Sequence, residues 1–128
     1  HAWDVQGLRG LAALPGRQAE FKTGFALALR YAQTLGCPRL HVMAGMRPSG
    51  LATPSDEFPE PLQRIYIDNL RWAAEQAAPL GVDVLIEPIN GRRDMPGYLL
   101  QRQAQAHAVL SAVASARSEN PTCPLSPA

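Results

Sequence analysis

Three segments of the chain carry apolar residues at the spacing of one helix face. In the first, apolar positions recur at intervals of four or three residues, which predicts a helix from about Arg17. These positions are Phe21, Phe25, Ala28, Ala32 and Leu35. Gly36 is expected to end this helix, because glycine enters the left-handed conformation at little cost, and Pro38 follows it.

The two other helical segments lie further along the chain. The second is expected to start at Pro61, which suits a first helical turn, and to end near Pro79. Its apolar face consists of Leu62, Ile65, Tyr66, Leu70, Ala73 and Ala77. The third starts at about Arg102, and its apolar residues are Ala106, Val109, Leu110 and Val113. Residues 46–60 and 90–97 are predicted to be loops, and loops as long as the first are often functional.

Two short runs, residues 40–44 and 82–86, are apolar at almost every position and predict buried strands. Each follows a Leu-Gly pair, and these pairs stand 45 residues apart. Repeated αβ units predict an α/β fold with two parallel strands joined by a right-handed crossover and three helices packed on one side. No third strand is expected, because the proline-rich residues from Ser118 onward show no periodicity and predict a disordered C-terminal tail.

Composition narrows the class of protein. The 128 residues, 46% hydrophobic and 18% charged, fit one soluble globular domain. Twelve Lys and Arg residues against 11 Asp and Glu residues form no basic block, so nucleic acid is not an expected partner. No apolar run approaches the roughly 20 residues that span a bilayer, so no membrane partner is expected either. The first residue is His1, and the chain is therefore expected to begin partway through a larger protein.

The two cysteines indicate a compartment. Cys37 stands at a predicted helix end and Cys123 in the proline-rich tail, with the spacing of neither a metal site nor a disulfide framework. Reduced thiols are expected, and with them a cytoplasmic location.

Glu87 is the candidate for chemistry, because it directly follows the apolar run Val84-Leu85-Ile86. An unpaired charge in an apolar neighbourhood costs several kcal/mol, so this carboxylate needs either water or a function. In parallel α/β folds the carboxyl ends of the strands face the active site, which suggests a metal ligand or a general base. A solvated strand-end glutamate paired with an arginine is the alternative.

Four groups of residues resemble the hydroxypyruvate isomerase family, which is part of the xylose isomerase-like TIM barrels. They are residues 10–17, 35–45, 68–71 and 87–90 together with 93–97. The resemblance implies the central part of a (β/α)₈ TIM barrel, from the loop after its third strand to the helix after its fifth. Residues 1–113 would form this partial barrel and residues 114–128 an unrelated tail. The segment Gly91-Arg92-Arg93 departs from the family by one extra residue.

The same resemblance implies a reaction. The family interconverts hydroxypyruvate and tartronate semialdehyde through an enediolate, with two glutamates and a divalent metal, Mg²⁺ or Mn²⁺. Glu87 would be the first of these glutamates, both catalytic and a metal ligand. The second glutamate and the other ligands would lie on later strands, so we expect this chain alone to be inactive and to hold no metal. The expected substrate is a small hydroxy-keto acid.

Three further residues are candidates for substrate binding. His41 alternates with apolar neighbours on its strand, so it faces either the barrel interior near the substrate or a satisfied position in the core. Asn90 either orients Glu87 and substrate or bonds its own turn. Arg93, or Arg92 beside it, either grips a substrate carboxylate or is a solvated loop residue. His107, Trp72, Trp3 and Met43 are interpreted as surface or packing residues.

Other functions stay open at this point. A 2-oxo-tetronate isomerase or a sugar epimerase of the same fold would use the same Glu87. The DNA-repair relative uses a cluster of zinc ligands and a basic face. This chain has only three histidines and a net charge of +1, so it offers neither feature. A non-catalytic, truncated product is the alternative from a different class.

Overall fold

Helices and strands alternate along the described part of the chain. The structure, a computed structural model, describes residues 10–48, 57–89, 98–116 and 125–127. In chain order its elements are α1 (Gln18–Leu35), β1 (Arg39–His41), α2 (Glu60–Ala77), a 3₁₀ turn (Ala78–Leu80), β2 (Asp83–Ile86), α3 (Gln103–Ala116) and β3 (Leu125–Pro127). The three helices and the first two strands lie where the sequence predicts them, within the few residues by which such boundaries vary.

The two Leu-Gly pairs act as helix stops. Gly36 has a φ of 69°, and the amide of Cys37 donates to the carbonyl of Ala32 at 2.8 Å. After the second helix, the 3₁₀ turn runs into Gly81 with a φ of 70°. Both glycines occupy the left-handed region, where a side chain would be strained. The repeated unit predicted from the sequence is therefore present.

β1 and β2 pair in parallel, as the sequence predicts. Arg39 is opposite Asp83 and His41 is opposite Leu85. The pairing continues one residue beyond β1, because the amide of Val42 donates to the carbonyl of Leu85 at 2.8 Å. Parallel pairing brings the carboxyl ends of both strands to the same edge.

The expectation of only two strands and a disordered tail is wrong for part of the tail. α3 continues to Ala116, and Leu125–Pro127 forms a third strand parallel to β2, with the sheet order β1-β2-β3. The free edge of β2 presents backbone N–H and C=O groups, which attract any segment that reaches them. Because this pairing is a contact between distant segments, the local proline-rich pattern did not reveal it. Residues 117–124 and 128 lie outside the described residues.

The helices cover one face of the strands. Val84 and Ile86 of β2 are fully buried, and α2 packs against this strand while also contacting α1 and α3. Helix residues that share this core include Phe25, Leu29, Leu62, Tyr66, Leu70, Ala73, Ala106, Val109 and Val113. Alternate strand residues point to the opposite face, where Arg39 and His41 are exposed. This uncovered face carries the candidate site.

Residues 10–14 pack closely against the end of β1. The amides of Ala12 and Ala13 donate to the carbonyls of Met43 and Ala44 at 3.3 and 2.9 Å. Asn69 of α2, buried among apolar residues, donates from Nδ2 to the carbonyl of Ala12 at 2.8 Å. A buried amide needs such a partner, and here it ties the helix layer to the loop.

Trp72 is a packing residue, as expected. Its ring lies edge-on to Phe21 and Phe25, with centroids 6.1 and 5.8 Å apart, and Lys22 Nζ lies 5.3 Å from the ring centroid. This cluster joins α1 to α2 through aromatic and cation–π contacts. Met43 is partly buried against the core and His107 is exposed, which agrees with their interpretation as packing and surface residues.

Two expectations concern the cellular compartment and the membrane. Cys37 is an exposed free thiol, and Cys123 lies outside the described residues, so the cytoplasmic location stays a prediction. None of the helices that the structure describes is long and apolar enough to cross a membrane.

Candidate functional site

Glu87 stands at the carboxyl end of β2 on the uncovered face of the sheet. It directly follows Ile86, which is fully buried, and its own side chain is 55% exposed. The alternation along a strand places buried Val84 and Ile86 toward the helices and Glu87 on the other side with Leu85. The carboxylate therefore stays in contact with water, which removes the cost of burying its charge.

His41 shares this face with Glu87. Its strand partner is Leu85, two residues before Glu87, and the distance from His41 Nδ1 to Glu87 Oε2 is 3.8 Å. The imidazole is 53% exposed on this face of the chain. Its role in substrate binding stays a prediction. An exposed pair at this distance contributes about 0–1 kcal/mol to stability. Its significance is chemical, because it places an acid-base pair at the strand ends.

Residues 98–100, which we term the clamp segment, connect the ends of β1 and β2. The amide of Leu99 donates to the carbonyl of Gly45 at 3.0 Å, and Tyr98 forms an antiparallel bridge with Met46. On the other side, the amide of Ile89 donates to the carbonyl of Leu100 at 2.9 Å. The clamp segment thus holds the backbone just beyond both His41 and Glu87.

Two buried tyrosines bond the backbone at the end of β1. The Tyr66 hydroxyl donates to the carbonyl of Val42 at 2.7 Å, and the amide of Ala44 donates to the Tyr98 hydroxyl at 2.9 Å. Burial raises the pKa of Tyr66 well above its usual value, and the neighbouring Tyr98 adds to this effect. Burial also raises the pKa of Tyr98 to about 12; the Ala44 hydrogen bond opposes this, and the Glu87 charge adds to it. Both hydroxyls are therefore neutral at ordinary pH.

Sequence reasoning missed Tyr98 and the polar role of Tyr66. In the sequence, Tyr66 belongs to an apolar helix face, and Tyr98 directly follows the motif that ends at Gly97. A usable signal was present, since a buried tyrosine needs a partner for its hydroxyl. Which partner it finds depends on contacts 24 and 54 residues away along the chain.

The structure brings together only some of the predicted site residues. Glu87 and His41 are adjacent, whereas Asn90, Arg92 and Arg93 lie outside the described residues. The substrate-binding roles of Asn90 and Arg93 stay predictions.

The described residues do not fit a complete metal centre. They contain no group of three His, Cys, Asp or Glu side chains placed to hold an ion. Glu87 supplies one carboxylate, whereas Mg²⁺ requires near-octahedral oxygen coordination. The role of Glu87 as a ligand of Mg²⁺ or Mn²⁺ stays a prediction.

A groove of about 630 Å³ lies between α1 and β1 and reaches the site. Its lining includes Phe21, Phe25, His41 and Met43. The groove therefore contacts His41, the residue that pairs with Glu87. The volume falls within the range of small-molecule sites.

Comparisons with known proteins agree with this architecture. The family described as xylose isomerase-like TIM barrel matches residues 2–119. A 2-oxo-tetronate isomerase from Cupriavidus necator is 48% identical over 110 residues, 86% of this chain and 40% of the relative. A human protein provisionally named hydroxypyruvate isomerase is 42% identical over 84% of this chain and 38% of its own. The hydroxypyruvate isomerase of Escherichia coli is 38% identical over 78% of this chain and 36% of its own.

A solved structure gives the same fold. It is described as an AP endonuclease, family 2, from Brucella melitensis, and superposes with a TM-score of 0.77 at 35% identity. The match covers 96% of this chain and 42% of that chain. The chain thus spans about 40% of the length of the curated relatives and of the solved structure. The α/β architecture described above is therefore that of part of a barrel.

Proposed function

The chain belongs to the xylose isomerase-like TIM barrel family, and from this premise we propose that it supplies the Glu87-bearing part of a hydroxypyruvate isomerase. The observation that carries the proposal is the position of Glu87: its side chain is exposed, lies at the carboxyl end of β2 and has Oε2 3.8 Å from Nδ1 of His41. The names of the relatives supply the substrate class, since they are isomerases of small keto acids.

The chemistry requires the transfer of a proton between adjacent carbons, and Glu87 is the group of this chain that takes part in it. In hydroxypyruvate, the Glu87 carboxylate removes a proton from the hydroxymethyl carbon, and a double bond forms between this carbon and the former carbonyl carbon. The electron pair of the carbonyl passes to its oxygen, which gives an enediolate. Return of the proton to the former carbonyl carbon, with proton exchange between the two oxygens, yields tartronate semialdehyde. A carboxylate is suited to such a transfer when the bound substrate brings the proton within hydrogen-bonding distance of it.

His41 is the proposed neighbour of this step. Its imidazole lies within reach of the Glu87 carboxylate and on the same face, so it is placed to contact a substrate oxygen beside the reacting carbon. The groove between α1 and β1 provides space on the side of His41. Glu87 is the carboxylate that this chain brings to the step, and the further ligands of the expected Mg²⁺ or Mn²⁺ would come from the rest of the barrel.

A 2-oxo-tetronate isomerase is the second candidate, and a specific observation favours it. The C. necator relative with that name is 48% identical, compared with 42% for the human hydroxypyruvate isomerase relative. The two reactions share the proton transfer next to a ketone, so the role of Glu87 is the same in both.

The experiment uses a barrel chimera, in which the matched residues of this chain replace their 110 counterparts in the C. necator 2-oxo-tetronate isomerase. Glu87→Gln removes the charge and the basicity but keeps the shape. It is expected to lower kcat by roughly 10² to 10⁴, as the loss of an acid-base group does. The ratio of kcat/KM for hydroxypyruvate and 2-oxo-tetronate, compared with the same ratio for the parent C. necator enzyme, decides between the two candidates.

Glu75→Gln is the matched control, because Glu75 is an exposed glutamate on α2, away from the strand ends. It should leave kcat unchanged. A Glu87→Gln chimera with kcat within a few-fold of the unchanged chimera, or equal losses in both variants, contradicts the proposed role.

A further inference from the structure

We propose that Tyr98 is a positioning residue for Glu87: its hydroxyl fixes the clamp segment to the end of β1, and the clamp segment holds the backbone that carries Glu87. The inference deepens the proposed function and rests on it for the kinetic part of its test. It assigns a role to a side chain that the proton transfer itself does not use.

The first support is the series of hydrogen bonds that leads from β1 to Glu87. The Ala44 amide donates to the Tyr98 hydroxyl at 2.9 Å, and the Leu99 amide donates to the Gly45 carbonyl at 3.0 Å. Two residues beyond Tyr98, the carbonyl of Leu100 accepts the Ile89 amide at 2.9 Å. Ile89 is two residues after Glu87, so a shift of the clamp segment moves the backbone next to the carboxylate.

The second support is burial. Ala44 is fully buried and Tyr98 is 1% exposed, so no bulk water replaces the hydroxyl as acceptor of the Ala44 amide. A buried donor that loses its acceptor gains no hydrogen bond to water in exchange, so the loss of the hydroxyl is destabilising. Removal of this hydroxyl therefore favours a shift of the backbone that brings the Ala44 amide to another acceptor. Displacement of a catalytic group by about 1 Å can lower turnover by about 10²-fold.

The third support is the proximity of Tyr98 to Glu87. The Glu87 charge adds to the raised pKa of Tyr98, so the carboxylate lies within electrostatic reach of this hydroxyl. Among the described residues, the Tyr98 hydroxyl has one hydrogen-bond partner, the Ala44 amide. The Tyr98 oxygen thus accepts a hydrogen bond from the end of β1 and lies near the Glu87 carboxylate, which Tyr98 is proposed to hold in place.

Tyr66 provides a matched control for the test. Tyr66→Phe also removes one buried hydroxyl bonded to the same backbone stretch, at the Val42 carbonyl, but no described hydrogen bond of Tyr66 leads to the clamp segment. In the barrel chimera, both variants should lose stability, seen as lower urea midpoints. Only Tyr98→Phe should lower kcat, by tenfold or more, with KM changed by less than threefold. In a Glu87→Gln background, Tyr98→Phe should lower kcat no further.

Crystal structures of the two chimera variants supply a measurement that does not depend on activity. In Tyr98→Phe the Glu87 carboxylate is expected to be displaced from His41, whereas in Tyr66→Phe their separation of 3.8 Å is expected to be kept. If Tyr98→Phe does not fold, a ring-fluorinated tyrosine at residue 98, which keeps the hydroxyl but makes it a poorer acceptor, replaces it and should give an intermediate displacement and an intermediate fall in kcat.

Each outcome decides something different. Equal losses of kcat in the Tyr98 and Tyr66 variants, or a Glu87 carboxylate that stays in place in Tyr98→Phe, overturn the positioning role. An unchanged chimera with no turnover, or a fully active Glu87→Gln chimera, instead contradicts the isomerase proposal. In those two cases the crystal structures alone decide the role of Tyr98.

Discussion

Replacement of Gly45 by alanine tests how closely residues 10–14 pack against the end of β1. Gly45 has a φ of 115°, a conformation that residues with a side chain rarely adopt. A Cβ atom added there would lie 2.7 Å from the carbonyl oxygen of Gly10 and 3.1 Å from Cγ of Leu14. The first of these neighbours is backbone, so it cannot move aside by changing a rotamer.

The expected loss of stability has two parts. The strained backbone contributes about 1–3 kcal/mol, and forcing a methyl group into a filled space contributes about 1–3 kcal/mol. We therefore expect Gly45→Ala to lower the free energy of unfolding by at least about 2 kcal/mol. Since whole domains are stable by about 5–15 kcal/mol, this is a large fraction.

Gly24→Ala is the matched control, because the same substitution should act in the opposite direction. Gly24 lies within α1 and is exposed, and an added Cβ meets nothing within 4 Å. Alanine in a helix interior is more stable than glycine by about 0.5–1 kcal/mol. Urea unfolding of the barrel chimera measures both variants. The packing argument is refuted if Gly45→Ala unfolds at the same urea concentration as the unchanged chimera, or if Gly24→Ala loses as much stability.

Two further predictions concern pH and the isolated chain. The folded protein keeps the proton of Tyr98 up to a pKa of about 12, whereas the unfolded chain releases it near 10, so stability should fall as pH rises from about 10 to 12. The fall due to this group is about 3 kcal/mol, because each pKa unit corresponds to about 1.4 kcal/mol. Urea unfolding measured against pH should therefore show a smaller loss of stability for Tyr98→Phe than for the unchanged chimera, and equal losses would contradict the prediction. The isolated 128-residue chain should show no isomerase activity at any Mg²⁺ or Mn²⁺ concentration and no sharp thermal transition, because one site carboxylate forms no metal centre and short sheets cover helices poorly. Metal-dependent turnover of this chain in an activity assay would overturn that prediction.

Local sequence patterns predicted most of the fold. The apolar intervals that include Phe21 and Phe25 mark the buried face of α1, and Gly36 ends this helix in the expected conformation. Repetition of the Leu-Gly unit indicated the parallel pairing of β1 and β2. These features were accessible because helix periodicity and the left-handed preference of glycine act within a few residues. β3 was not accessible, since its pairing joins residue 125 to residue 84 and depends on an edge that only the assembled sheet presents.

In the candidate site, too, some features follow from the local sequence and others only from the tertiary structure. By itself the sequence determined that Glu87 ends an apolar strand, because strand length and alternation follow from neighbouring residues. Only the tertiary structure decided that His41 stands 3.8 Å from this carboxylate, since their distance depends on the register between two strands. It also decided that Tyr98 bonds Ala44, a contact that forms across 54 residues. Buried polar groups must find partners, but only the packed chain determines which partner lies within reach.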